Sequence, residues 1–283
     1  HRDLHLSIRR QRQMCIRDST DMAIDHCDPI TDIDGNVYQT IIIGEQAWMM
    51  ENLKVTKYRD GTSINDGSAY SDATWSNLTS GAYSVYSQDT AYASTYGLLY
   101  NWYAVDDDRS IAPEGWHVPT HDEWTTLEIY ICSELGGHSN CDEEFTYDAW
   151  SDNECTGNDE GEKMKAIDST WQGSLQSTNE SGFSALPGGL RTDDYSMGIG
   201  YTANFFTSTE WGAHNDAVWH RTLKWSQSMI CRDYVQKMYA LSEPLGRSKL
   251  SSEFAPSWNL HVLEGEIDST HTYVITVSYT HLT

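Results

Sequence analysis

The chain of 283 residues carries 42 Asp and Glu against 18 Lys and Arg, a net charge of −24. Such acidity argues against nucleic acid and anionic membranes as partners, because phosphate groups are bound by clustered cations. No run reaches the roughly 20 apolar residues of a membrane span, so no transmembrane segment is expected; the carboxylates permit Ca2+ as a cofactor without requiring it.

Both chain ends read as DNA artefact. Met14 to Asp18 can be encoded by ATG TGT ATA AGA GAC, whose reverse complement reads Val-Ser-Tyr-Thr-His, the sequence of Val277 to His281. Two ends encoding opposite strands of one short DNA are what read-through of a library adapter produces. Residues 1–19 and 277–283 are therefore expected to lie outside the fold, as tags do. The remainder suits one large domain with embellishments. Eleven Trp and seventeen Tyr are enough aromatics for a core, a carbohydrate-stacking surface, or both.

Residues 20–31 read as a linker. Asp32 to Leu53 follows as strand, Asp-Gly turn, strand and a second turn at Gly44 to Gln46. Its DxDG fails the calcium-loop pattern, with glycine at position 4 rather than 6, so a hairpin is the better reading. Residues 54–95 are polar and turn-rich, which predicts a long irregular loop with little core. Tyr96 to Val105 predicts a short helix packed inward.

Ala112 to Leu127, APEGWHVPTHDEWTTL, is the clearest structural signal. Thr120 and Glu123 have the spacing of a capping box, and Trp124, Leu127 and Ile131 fall on one helical stripe. Trp116, Thr120, Glu123 and Trp124 are read as structural. Gly136 to Gly161, an acidic insertion, holds eight Asp/Glu and no Lys or Arg. One calcium register there, Asp152-Glu154-Thr156-Gly157, puts Lys163 where a bidentate Glu is needed; a solvated acidic loop is the better reading.

Five cysteines remain beyond Cys15: Cys27, Cys132, Cys141, Cys155 and Cys231. None forms CxxC. Cys132, Cys141 and Cys155 flank or sit in the insertion, which predicts a local disulfide and an oxidising compartment. Further on, Asn179 to Arg191 predicts a short strand and a Pro-Gly-Gly turn, and residues 192–203 a loop. Phe205 to Trp211, Ala217 to Leu223 and Val235 to Ser242 predict strands. After Glu243 the pattern loses definition, so residues 243–276 are uncertain as part of the fold.

Five segments, DIDGNVYQTIIIGEQAWMMENL, YGLLYNWYAV, APEGWHVPTHDEW, NESGFSALPGGLR and FTSTEW, resemble in this order the Fibrobacter succinogenes major paralogous domain family, over about residues 32–242. The resemblance implies an α+β, C-type-lectin-like fold, related to that of sulfatase-modifying enzymes, with short helices, small antiparallel sheets and long irregular loops. It also implies an extracellular or outer-membrane location, with lipoprotein anchoring. Two departures stand out: the family has Cys where this chain has Ala112, and a second near Leu245.

No GxSxG, HExxH, Walker A or GxGxxG motif is present. His117 and His121 are separated by Pro119, which breaks the helix that would align them as metal ligands. The expected function is a non-catalytic secreted or surface-anchored binding module, with carbohydrate or another cell-surface ligand as its target. Lectin-like folds bind through loops over their last strands, here Asp193, Asp194 and Tyr195, then Glu210, Trp211, His214, Asn215 and Asp216. Trp219 is expected in the core. One alternative is a sulfatase-modifying type of enzyme, disfavoured because Cys231 has no partner close in sequence; another is an adhesion protein presenting variable loops.

Overall fold

The computed structural model describes residues 26–145, 155–167, 170–173, 177–193, 195–212 and 216–247. It is an α+β fold of short helices and two sheets. The first sheet begins with strand β1 (His26–Thr31), so residues expected as linker form an edge strand. β1 pairs antiparallel with β2 (Val37–Ile43), and β2 with β3 (Gln46–Met49).

The DxDG stretch is the β1–β2 turn. Asp32 Oδ1 accepts the amides of Asp34 and Asn36, each at 2.9 Å, and Oδ2 accepts the Tyr38 hydroxyl at 2.6 Å. Its carboxylate is committed to the turn, as in other Asx turns. The β2–β3 turn needs Gly44, whose φ is +63°. A Cβ there would also lie 2.8 Å from the Tyr130 ring.

The second sheet has ten strands and two parallel pairings, where small antiparallel sheets were expected. It takes in β4 (Asn65–Asp66), β5 (Ala82–Ser84) and β6 (Leu99–Asn101). Short helices α1 (Asp72–Ser76) and α2 (Thr90–Tyr96) punctuate this region, and α3 (Trp102–Val105) follows β6. Residues 54–95 thus contribute more core than expected: Val55, Tyr58, Ile64, Trp75 and Ala82 are all buried. The segment from Tyr96 is half strand, with helix only from Trp102.

Helix α4 (His121–Tyr130) starts with the capping box: the Glu123 amide donates to Thr120 Oγ1 and the Thr120 amide to Glu123 Oε2. It continues as one π turn, Ile131–Leu135. Trp124, Leu127 and Ile131 are buried on one stripe, as the spacing predicts. Trp124 stacks on Phe205 at 5.6 Å and 17°, and lies 5.1 Å from Trp48. One aromatic core therefore joins the helix to both sheets.

After α5 (Cys141–Glu144), β7 (Cys155–Thr156) and α6 (Glu160–Met164), the chain supplies the rest of the large sheet. These strands are β8 (Gly188–Arg191), β9 (Ser196–Ile199), β10 (Thr202–Glu210), β11 (Ala217–Lys224), β12 (Ile230–Gln236) and β13 (Ala240–Leu241). Gly188 and Gly189, expected in a turn, open β8; β9, expected as loop, hairpins back onto it. Val235 to Ser242 is split by a turn between β12 and β13.

The chain then returns to the first sheet as β14 (Gly246–Arg247), which pairs with β3 and bridges His117. Residues 243–247 are therefore integral to the fold. Glu243 and Leu245 are fully buried. Leu245 and Ala112, the two positions where the resemblance implies cysteines, share one hydrophobic cluster. Two disulfides tie the insertion down, Cys132–Cys141 and Cys155–Cys231. The second supplies the partner that Cys231 lacks in its own half of the sequence.

Candidate functional site

The registers of the large sheet bring its loops together at one end. β8 and β10 run parallel, and β11 and β13 run against them. β6 runs against β13, β5 against β6, and β4 alongside β5. The starts of β4, β5, β11 and β13 thus share an end with the finishes of β6, β8, β10 and β12. There lie residues 79–81, 102–109, 192–195, 210–216 and 237–239.

An open cleft of about 760 Å³ occupies this end. Its aromatic wall is Tyr58 and Tyr103; its polar wall includes Thr79, Ser80 and the run Asp106-Asp107-Asp108-Arg109. Arg109 is held over the Tyr58 ring at 3.9 Å and pairs with Asp107 through both Nε (2.7 Å) and Nη2 (2.6 Å). That pairing holds the Asp107 carboxyl below its ordinary range. Burial pushes the Tyr58 phenol up to about 12. Asp106 shifts the other way from Asp107: burial, then the neighbouring charge of Glu210, raises it.

Glu210, at the end of β10, is ion-paired with Lys237. Lys237 in turn lies 4.3 Å over the Trp102 ring. The charges of Glu210 and Lys237 both act on Asp106 in the cleft, in opposite directions.

Of the loop residues singled out from the sequence, Tyr195 is 57 % exposed at the β8–β9 turn. Asp193 accepts the Ser76 hydroxyl through its backbone carbonyl. Asp216 is exposed, and its carbonyl accepts the Lys237 amide. Trp211 corrects the expectation of an exposed stacking ring: it is buried, stacked on Tyr234 at 4.1 Å and 6°. The exposed face of that stack belongs to Tyr234. Trp219 is half-buried beside His121. Asp194, His214 and Asn215 lie outside the described residues.

The cleft itself was missed by sequence reasoning. Its signal was the run of three aspartates and an arginine directly after the aromatic segment. The other sequence candidates are structural: His117 Nε2 lies 2.8 Å from the Glu123 carboxylate, and Trp116 and Trp124 are core.

Taken together these features define an α+β domain that gathers several loops at one end of a large mixed sheet. The family model of the Fibrobacter succinogenes major domain matches residues 41–255, and the chain belongs to that family. No curated protein and no solved structure matches it. Among the described residues no helix is long and apolar enough to cross a membrane.

Proposed function

We propose that this chain is a non-catalytic binding module with a C-type-lectin-like loop arrangement that takes a glycan or similar polyhydroxylated surface ligand at the end of its large sheet. The observation that supports this reading is the open cleft, where the half-buried Tyr103 ring stands beside carboxylates, hydroxyls and the Arg109 guanidinium that covers Tyr58. Sugar rings present C–H faces to aromatics and hydroxyls to such polar groups. Tyr195 extends the same end with an exposed ring. The two disulfides among the described residues suit an oxidising, extracellular setting, and we include a lipid-anchored place at the cell surface in the proposal. Ca2+ is a proposed aid to ligand binding through the cleft carboxylates. A glycan array probed with Ca2+ and with EDTA tests this; absence of binding in both conditions contradicts it.

A second reading is supported by the Cys155–Cys231 pair. A sulfatase-modifying type of enzyme needs two adjacent thiols, and here two cysteines adjoin, with Gln227 Oε1 within 3.3 Å of both sulfurs. Cys231 is buried, however, which suits a structural bridge. Copper(I) bound by the reduced protein, and lost in Cys231→Ser, would favour the enzyme. A third reading, an adhesion protein that presents the same loops to protein partners, predicts binding to a protein surface that free glycans do not compete away.

A further inference from the structure

We propose that His138, Asp159 and Glu160 form a binding site for a divalent first-row transition ion of the Zn2+ kind, remote in sequence from the cleft loops. One imidazole nitrogen and one oxygen from each carboxylate all lie within 4.8 Å of one another. The decisive member is Glu160. Its side chain is fully buried, yet Oε1 has no hydrogen-bond partner. Its other oxygen accepts the Asn158 amide at 2.5 Å. A buried carboxylate oxygen left without a donor costs stability, and a cation beside it removes that cost.

The surrounding chain is built to hold these groups. His138 follows the π turn across Gly136 and Gly137, and the Cys132–Cys141 disulfide closes this segment. Asp159 and Glu160 follow β7, which is fixed to β12 by strand pairing and by the Cys155–Cys231 disulfide. Gly157 is required: its φ is +94°, and a Cβ would stand 2.2 Å from Glu160 Oε2. The donors are thus carried on two short segments, the first closed by Cys132–Cys141 and the second anchored to β12 by Cys155–Cys231.

The donor set decides the class of ion. A single nitrogen and two carboxylates suit Zn2+ and its neighbours; Ca2+ takes six to eight oxygens and no imidazole. Bonds of about 2.0–2.2 Å in a tetrahedral array put donors roughly 3.4 Å apart. The three donors, within 4.8 Å of one another, therefore draw together when the ion binds. Asp159 is ion-paired with Lys163 in the absence of an ion, so the metal competes with that ammonium. Bound, the ion would cross-link the two segments and leave a fourth position to solvent.

The test titrates ZnCl2 and, separately, CaCl2 into the EDTA-dialysed full chain by calorimetry, with Tm as a second readout. One Zn2+ per chain, at least tenfold tighter than Ca2+ and accompanied by a higher Tm, is expected. His138→Ala, at an exposed position, should weaken Zn2+ at least tenfold without changing the metal-free Tm. Glu160→Gln should do the same to affinity, and His138→Ala alone decides if that variant fails to fold. Absence of stoichiometric Zn2+ binding, tighter Ca2+ than Zn2+, or Zn2+ binding undiminished in His138→Ala overturns the proposal.

Discussion

Arg221 of β11 and Glu128 of α4 are both fully buried and paired with one another. Arg232 of β12 approaches the other Glu128 oxygen at 3.4 Å and donates to Thr125 Oγ1 at 2.8 Å. His121, the first residue of α4, lies between the two guanidiniums, 3.3 Å from Arg221 and 3.1 Å from Arg232. The helix is therefore fixed to the sheet by ions on one side and by the Trp124 aromatic cluster on the other. Glu128→Gln leaves two buried arginines without their carboxylate. It should cost about 3–5 kcal/mol, read from urea unfolding.

The capping and core roles of the GWHVPTHDEW segment separate by magnitude. Thr120→Ala should cost about 1 kcal/mol through the lost cap. Trp124→Ala should cost about 3–5 kcal/mol, since it empties the centre of the aromatic core. Neither should weaken ligand binding beyond the fraction unfolded; a folded Trp124→Ala protein that no longer binds would show that this segment belongs to the site.

Glu243 supplies a pH dependence of definite sign. Burial raises its folded pKa well above the ordinary carboxylate value, against the Phe206 amide that donates to it. The folded chain keeps this proton where the unfolded chain, with a pKa of about 4.3, has released it. Its contribution to stability is full below pH ~4.3 and declines as pH rises towards the folded pKa. Glu243→Gln removes that decline. Relative to the parent, its Tm should improve as pH rises above about 4.3 towards the folded pKa; a difference independent of pH would contradict the account.

The two disulfides of the described residues should differ in worth because they close loops of different length, with separations of 76 residues for Cys155–Cys231 and 9 for Cys132–Cys141. Loop-closure entropy gives about 4–5 kcal/mol for the longer and about 2–3 kcal/mol for the shorter. Paired Cys→Ser variants compared by denaturant midpoint check the order.

Local chemistry made much of this fold legible. The capping box, the Trp124–Leu127–Ile131 stripe, the Asp-Gly hairpin and the alternation in β11 each depend on residues near one another in sequence. The closing strand β14 was not legible, because it is defined by pairing with the remote strand β3; the edge strand β1 was missed although it hairpins onto its neighbour β2. Long separation also hid the Cys155–Cys231 bridge. At the site, Glu210 and Tyr195 were found from loop position, whereas the cleft depends on residues 58, 79–81 and 103–109 meeting across a sheet whose strand order is far from sequential. Trp211 was misread because its cover, Tyr234, comes from another strand.

The most direct measurement is the affinity of a glycan selected on the array for the parent chain, for Tyr103→Ala and for Asp106→Asn, by calorimetry at fixed Ca2+. Both variants change side chains that line the cleft. The binding-module account predicts that each lowers affinity at least tenfold while Tm stays near that of the parent. Unchanged affinity in both folded variants would contradict it and move the binding surface away from this end of the sheet.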